Sequence, residues 1–202
     1  MNKFVAVLIL TCIFSSCYAK PSTNKIEQTP SNQHFQEEPL KVALLSDAAV
    51  MKWANKRLME AYEFYFEDIG IWRKKMEPYF SNSGYNDFLA TSMLDSVKEN
   101  KLIVQPKLKG EPTLLVKGIS KVKGAENEVY TWYVVIPIEI TYLGPKTKVQ
   151  QNMLAKLEIV RRNNPGNNEY ISINSLTLHP NEKNEKSMEK LSKKIKEEVV
   201  LN

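Results

Sequence analysis

The chain is poor in the residues from which catalytic and metal sites are built. It has two cysteines and two histidines. Both cysteines, Cys12 and Cys17, lie among the first twenty residues. The chain beyond Cys17 therefore has no disulfide framework, no thiol nucleophile and no cysteine metal site. His34 sits in a polar stretch and His179 stands before Pro180, far apart in sequence. There is no HExxH, no GxSxG and no glycine loop to cradle a phosphate. Asp68, Asp87, Asp95 and Glu139 are the carboxylates of most interest, but nothing places two of them together, as acid–base work requires. A long run of one charge sign is also missing. The formal net charge is +5, from 28 basic and 23 acidic residues that interleave along the chain. A single-signed stripe following a nucleic-acid backbone is excluded on that pattern. The expectation is a protein that is not an enzyme, with no cofactor, no metal and no nucleic-acid partner.

What is present begins with an export signal. A positive charge at Lys3 precedes the apolar run Phe4–Phe14, and small residues come after it. That arrangement predicts a secretory signal peptide over residues 1–19. The run falls short of the roughly 17–25 apolar residues that span a bilayer, although an uncleaved anchor is the competing reading. Two processing routes fit the residues. Cys17-Tyr18-Ala19 can precede a cut at Ala19, whereas Phe14-Ser15-Ser16-Cys17 is a loose lipobox that would put a lipid on Cys17 and tether the protein to a membrane. Residues 20–43, rich in Pro, Ser, Thr, Asn and Gln, have no apolar period and are expected to be a flexible linker.

A domain over residues 44–180 comes next. Ser46 is a suitable N-cap, and Val50, Trp53, Ala54, Leu58, Ala61, Tyr62, Tyr65 and Ile69 keep the spacing of one helical face. Gly70 marks a break, and a short helix Ile71–Glu77 stops at Pro78. A third helix is expected from Tyr85 to about Glu99, with Phe88, Leu89, Met93 and Val97 inward. After Asn100 the period changes to two, and the rest of the domain reads as five strands. The first carries Leu102, Val104, Pro106 and Leu108. The second carries Leu114, Val116 and Val122, bent or bulged at Gly118. The fourth puts Val149, Gln151, Met153, Ala155, Leu157 and Ile159 inward, and Leu154 outward among polar residues. The fifth, Tyr170–Leu178, loses its alternation near Ser175, where a bulge is expected.

The third strand, "VYTWYVVIPIEITYLGP", puts Tyr130, Trp132, Val134, Ile136, Ile138, Ile140 and Tyr142 on one apolar face. Pro137 at its centre cannot donate to a ladder, so it marks either the bend of a strongly curved sheet or an edge. The pattern as a whole predicts an α+β fold, with N-terminal helices packed on a strongly curved antiparallel sheet. Residues 181–202 read as a separate amphipathic, lysine-rich helix with Met188, Leu191, Ile195 and Val199 on one face.

Contact residues are the remaining candidates. Trp53 and Trp132 fall on core-facing stripes. Trp72 stands beside Arg73, Lys74 and Lys75 and reads as an exposed anchor, since aromatics and Arg are enriched at protein interfaces. With the tail residues Met188, Leu191 and Ile195 it forms the candidate interface.

The order of several pieces resembles the DotI/IcmL family, a periplasmic domain of an inner-membrane component of type IVB secretion systems, related to the TraM protein of conjugation. The pieces are "KWAN" at Trp53, the helix positions Ala61-Tyr62 and Tyr65-Phe66, "YFSNSGYNDFL", "VKENKLIV", "GEPTLLVKG", "YTWYVVIPIEITY" and "QQNMLAKLEIVR". The resemblance covers about Leu44–Leu178. It implies a cone-like fold similar to nuclear-transport-factor-two-like domains and a non-enzymatic scaffold in the bacterial envelope. The implied partners are secretion-apparatus proteins or a second copy of the chain. The departures are the short signal, the long linker and the lysine-rich tail, which fit an exported, periplasmic paralogue. A small-molecule-binding or catalytic domain of the same shape is the alternative, and it would need titratable side chains in the concavity.

Overall fold

The computed structural model describes residues 40–123, 126–163 and 169–181. The signal segment, most of the linker and the tail helix, and with them Cys17, Met188, Leu191 and Ile195, lie outside the described residues. Helix α1 (Asp47–Tyr62) starts where expected, with the Ser46 hydroxyl accepting from the Ala49 amide. It ends well before Ile69, because Glu63 turns extended and Phe64–Tyr65 form the short strand β1. Gly70 is not a break. It lies inside α2 (Ile69–Met76), and Pro78 sits in the adjoining 3₁₀ turn Glu77–Tyr79.

The expected third helix is two helices. Between α3 (Asn82–Thr91) and α4 (Leu94–Glu99), Met93 adopts a left-handed conformation with φ 54°. Its side chain, expected inward, is 61% exposed. A left-handed residue ends the 3.6 periodicity, so Leu94 and Val97 rather than Met93 turn to the core.

Among the described residues six strands make one antiparallel sheet: β1, β2 (Ile103–Leu108), β3 (Thr113–Ser120), β4 (Val129–Leu143), β5 (Lys148–Arg161) and β6 (Ile171–Pro180). The sheet order is β1-β2-β4-β5-β6, with β3 also paired to β4. Strand β4 is longer than either neighbour on one side, so β2 and β3 share that edge end to end. β2 pairs from Leu143 back to Ile138, and β3 pairs from Val135 back to Val129.

This division answers the question posed by Pro137. Its carbonyl accepts from the Lys109 amide at 2.9 Å, between the last β2 pair and the first β3 pair. A residue's N–H and C=O face the same neighbour in an antiparallel ladder. The missing donor of Pro137 therefore faces the place where β2 gives way to β3, and no ladder bond is lost. Opposite β5 the register runs past Pro137 without a shift, so no bulge sits there. The irregularities fall elsewhere. On β3 the shift lies between Leu114 and Val116 rather than at Gly118. On β6 the extra residue is Asn174, beside the Ser175 of the expected bulge.

Trp132, Val134, Ile136, Ile138 and Ile140 are fully buried and form one core with Ala155, Leu157 and Ile159 of β5 and the apolar faces of the helices. The sheet is strongly curved, and the helices fill its concave side. One assignment on β5 changes. Leu154 keeps its outward register, outside the main core, yet is buried, and Val149, expected inward, is 48% exposed because the strand's first residues reach beyond the packed core. A small second cluster, Val122, Val129 and Val160 with Leu40, forms on the opposite face near the start of β4. Leu40 joins it through its carbonyl, which accepts from the Tyr130 amide at 2.8 Å.

Candidate interaction surfaces

Trp72 is not an exposed anchor. It is 5% exposed, its indole N–H donates to the Glu60 carbonyl at 3.1 Å, and its ring packs 4.6 Å from Phe64 and 5.8 Å from Phe88. On a helix of eight residues one stripe must face the core, and Trp72 and Met76, four apart, are that stripe. Their neighbours Arg73, Lys74 and Lys75 are exposed, as is Ile71. The candidate surface therefore keeps its three cations and loses its aromatic residue.

The structure brings together a group that sequence reasoning missed. Arg57 is buried, and its guanidinium donates to Glu60 and Glu169, both at 2.6 Å. The guanidinium lies 3.6 Å from the centre of the Tyr79 ring and 6.0 Å from that of Trp53. The Trp53 indole donates to the other Glu169 oxygen at 2.5 Å. Burial opposes the charge on Arg57, but its hydrogen bonds to Glu60 and Glu169 outweigh it and hold the pKa above the ordinary arginine value. The cluster ties α1 to the turn after α2 and to the segment before β6. The sequence carries one signal for it: Arg57 follows Ala54 by three and precedes Ala61 by four, so it falls on the buried stripe of α1. Its acid partner on the neighbouring segment is separated by 112 positions, which no local pattern reveals.

The carboxylates singled out in the sequence are not brought together. Asp87 pairs with Lys123 at 2.7 Å and Glu139 with Lys109 at 3.4 Å, both at the surface. Among the described residues no three His, Cys, Asp or Glu side chains gather as a metal site. Among the same residues no helix is long and apolar enough to cross a membrane.

Helices on a strongly curved, half-barrel antiparallel sheet match the structures of type IV secretion periplasmic domains. The family described as "Type-IV b secretion system, inner-membrane complex component" matches residues 2–180, and the chain belongs to this DotI/IcmL family. The periplasmic domain of DotI is similar at 28% identity and a TM-score of 0.60, over 68% of this chain and 98% of that one. An IcmL-like type IV secretion system protein from Legionella pneumophila is 21% identical, with a TM-score of 0.55 over 68% and 95% of the two chains. A periplasmic fragment of TraM shares the fold at 18% identity and a TM-score of 0.58, over 68% and 99%. No match is found among curated proteins.

Proposed function

We propose that this protein is a non-enzymatic scaffold of a type IVB-like secretion apparatus, acting by protein–protein contact in the periplasm. The observation that carries the reading is the filling of the concavity. In a cone-like domain that binds or transforms a small molecule, polar side chains must converge inside the cone. Here the corresponding positions, Trp132 to Ile140 on β4 and Ala155 to Ile159 on β5, supply a fully buried apolar face under α1, α2 and α3. That face leaves no polar lining for a substrate to touch, so the outer surfaces act. The exposed cations Arg73, Lys74 and Lys75 and the expected tail helix with Met188, Leu191 and Ile195 are the contact candidates. Export by the signal, with a mature start near Cys17–Lys20, supplies the location. A lipid on Cys17 would add a membrane tether.

The test is crosslinking in intact envelopes followed by recovery of the full-length protein. Secretion-apparatus proteins, or a second copy of the chain, are expected among its partners. Recovery of neither would remove the scaffold role and raise the ligand-binding alternative.

A further inference from the structure

A cleft of about 550 Å³ opens beside the small second cluster. Its walls divide by chemistry. Leu40, Val122, Val129 and Val160 supply an apolar side. Arg161 and Arg162, at the end of β5, supply two cations. Ser81, Asn82 and Ser83 bring the first turn of α3 to the same cleft. Glu126 is on the lining too.

Four features give this cleft a built character. Ser172 lines it, is fully buried, and its hydroxyl has no hydrogen-bond partner among the described residues. A buried hydroxyl left unpaired is unfavourable, and a ligand oxygen would satisfy it. Arg161 is held in place, 2% exposed, by donating to the Tyr170 carbonyl at 3.0 Å and to that of Arg162, with its guanidinium 5.2 Å from the Tyr170 ring. Arg162 donates to the Phe80 carbonyl at 3.0 Å, which fixes it against the entry to α3. The N-terminus of a ten-residue helix adds partial positive charge on the same side.

We propose that this cleft binds a carboxylate carried on an apolar body, and specifically the C-terminal carboxylate of a polypeptide whose last side chain is aliphatic. A planar carboxylate matches guanidinium donors. The remaining acceptor capacity meets the Ser172 hydroxyl, and the valine wall takes the side chain. A free inorganic anion would use the cations and leave the valine wall wet. The volume accommodates one or two residues at a chain end, not an extended segment. A carboxylate site of this kind is one form of the protein-binding role proposed above, and it rests on that reading. Binding of a peptide by the purified protein and recovery of apparatus proteins from envelopes are separate readouts, so one can fail without the other.

The experiment is a titration of the full-length protein, followed by calorimetry and by amide chemical shifts. The probe is an N-acetylated tetrapeptide ending in leucine with a free carboxylate. The controls are the same peptide as its C-terminal amide and inorganic phosphate. The free acid is expected to bind and to shift the amides of residues 81–83 and 172. The amide should bind about tenfold or more weakly, since a charge-assisted pair is lost. Ser172→Ala and Arg162→Gln should each weaken the free acid several-fold, with melting temperature checked in parallel. If Arg162→Gln does not fold, Ser172→Ala alone decides, because it removes the hydroxyl and adds no atoms. A chain stopped after Pro180 tests the protein's own C-terminus, which ends in Asn202 and lacks the aliphatic side chain. Unchanged peptide binding by that chain is expected, and tighter binding would overturn the assignment to another polypeptide. Equal binding of acid and amide, binding of phosphate as tight as the acid, or shifts confined to other residues would overturn the site.

Discussion

The guanidinium carbon of Arg57 lies 3.6 Å from the centre of the Tyr79 ring, and the same group joins Glu60 of its own helix to Glu169 before β6. A buried cation paired with two acids is stable only while all its partners remain. Arg57→Ala is expected to destabilise the protein by about 3–5 kcal/mol, the usual cost of breaking a buried pair. Glu169→Gln keeps the shape and should cost less, about 1–3 kcal/mol. Urea midpoints of the two variants and of the double variant measure this. A double variant no worse than Arg57→Ala alone is expected, because the two residues share one interaction. Full additivity would mean that they act separately.

Gly84 and Gly70 both lie in helices, yet they should respond oppositely to alanine. A Cβ on Gly84 would meet the Asn174 and Ile173 carbonyl oxygens at 2.6 and 2.7 Å, where α3 crosses the bulge of β6. Those atoms are backbone and cannot swing aside. Gly84→Ala should therefore cost about 1–3 kcal/mol as an overpacking change. A Cβ on Gly70 meets nothing within 4 Å, so Gly70→Ala should stabilise by about 0.5–1 kcal/mol through helix propensity. Thermal melts of both variants check the pair. A neutral Gly84→Ala would show that α3 does not sit on β6 at this distance.

These two glycines also show what is legible in the sequence and what is not. The inward register of β4, the Ser46 cap and the bulge beside Ser175 can all be read, because each rests on a local pattern of period, cap or broken alternation. The α3–α4 division is hidden, since Met93 is an ordinary apolar residue until its backbone turns left-handed. The three cations after Trp72 point it to solvent in the sequence, although a helix rotates successive residues to different faces. The role of Pro137 needs the pairing of three strands, of which two share one edge of the third. The Arg57–Glu169 pair and the Arg161–Ser172 cleft rest on contacts between distant segments. Periodicity cannot carry such contacts; only the fold brings those residues together.

Trp132 is fully buried at the centre of the β4 register, 4.8 Å from the Tyr130 ring. Trp132→Ala should destabilise by about 3–5 kcal/mol, as emptied core aromatic sites do. An unchanged melting temperature would mean that this face of the sheet is not the core face.

Tyr62 gives the protein a pH dependence at the alkaline end. Burial raises its pKa well above the ordinary tyrosine value, with a smaller contribution from Tyr142, itself raised by burial. The unfolded chain releases the Tyr62 proton above about pH 10, while the folded chain retains it. The folded state then binds more protons, so stability must fall as pH rises. Tyr62→Phe removes this contribution. Its urea midpoint should decline less between about pH 8 and pH 11 than that of the wild type. Parallel declines would show that Tyr62 ionises as readily folded as unfolded.

The basic turn of α2 carries the last prediction. Arg73, Lys74 and Lys75 are exposed and successive, beside the exposed Ile71, while Trp72 and Met76 hold the helix to the core. Reversing the three charges should therefore leave the fold intact, since surface changes of this kind usually stay within about 0.5 kcal/mol each. If the turn meets an acidic surface of a partner, reversal removes electrostatic complementarity and slows association. Recovery of that partner by crosslinking should fall sharply in the Arg73→Glu, Lys74→Glu, Lys75→Glu variant. Wild-type recovery should also fall with added salt, because exposed charges are screened over roughly 10 Å at 0.1 M. A folded triple variant that retains every wild-type partner, with no salt dependence in the wild type, would show that the turn is a solvated surface and that contact is made elsewhere.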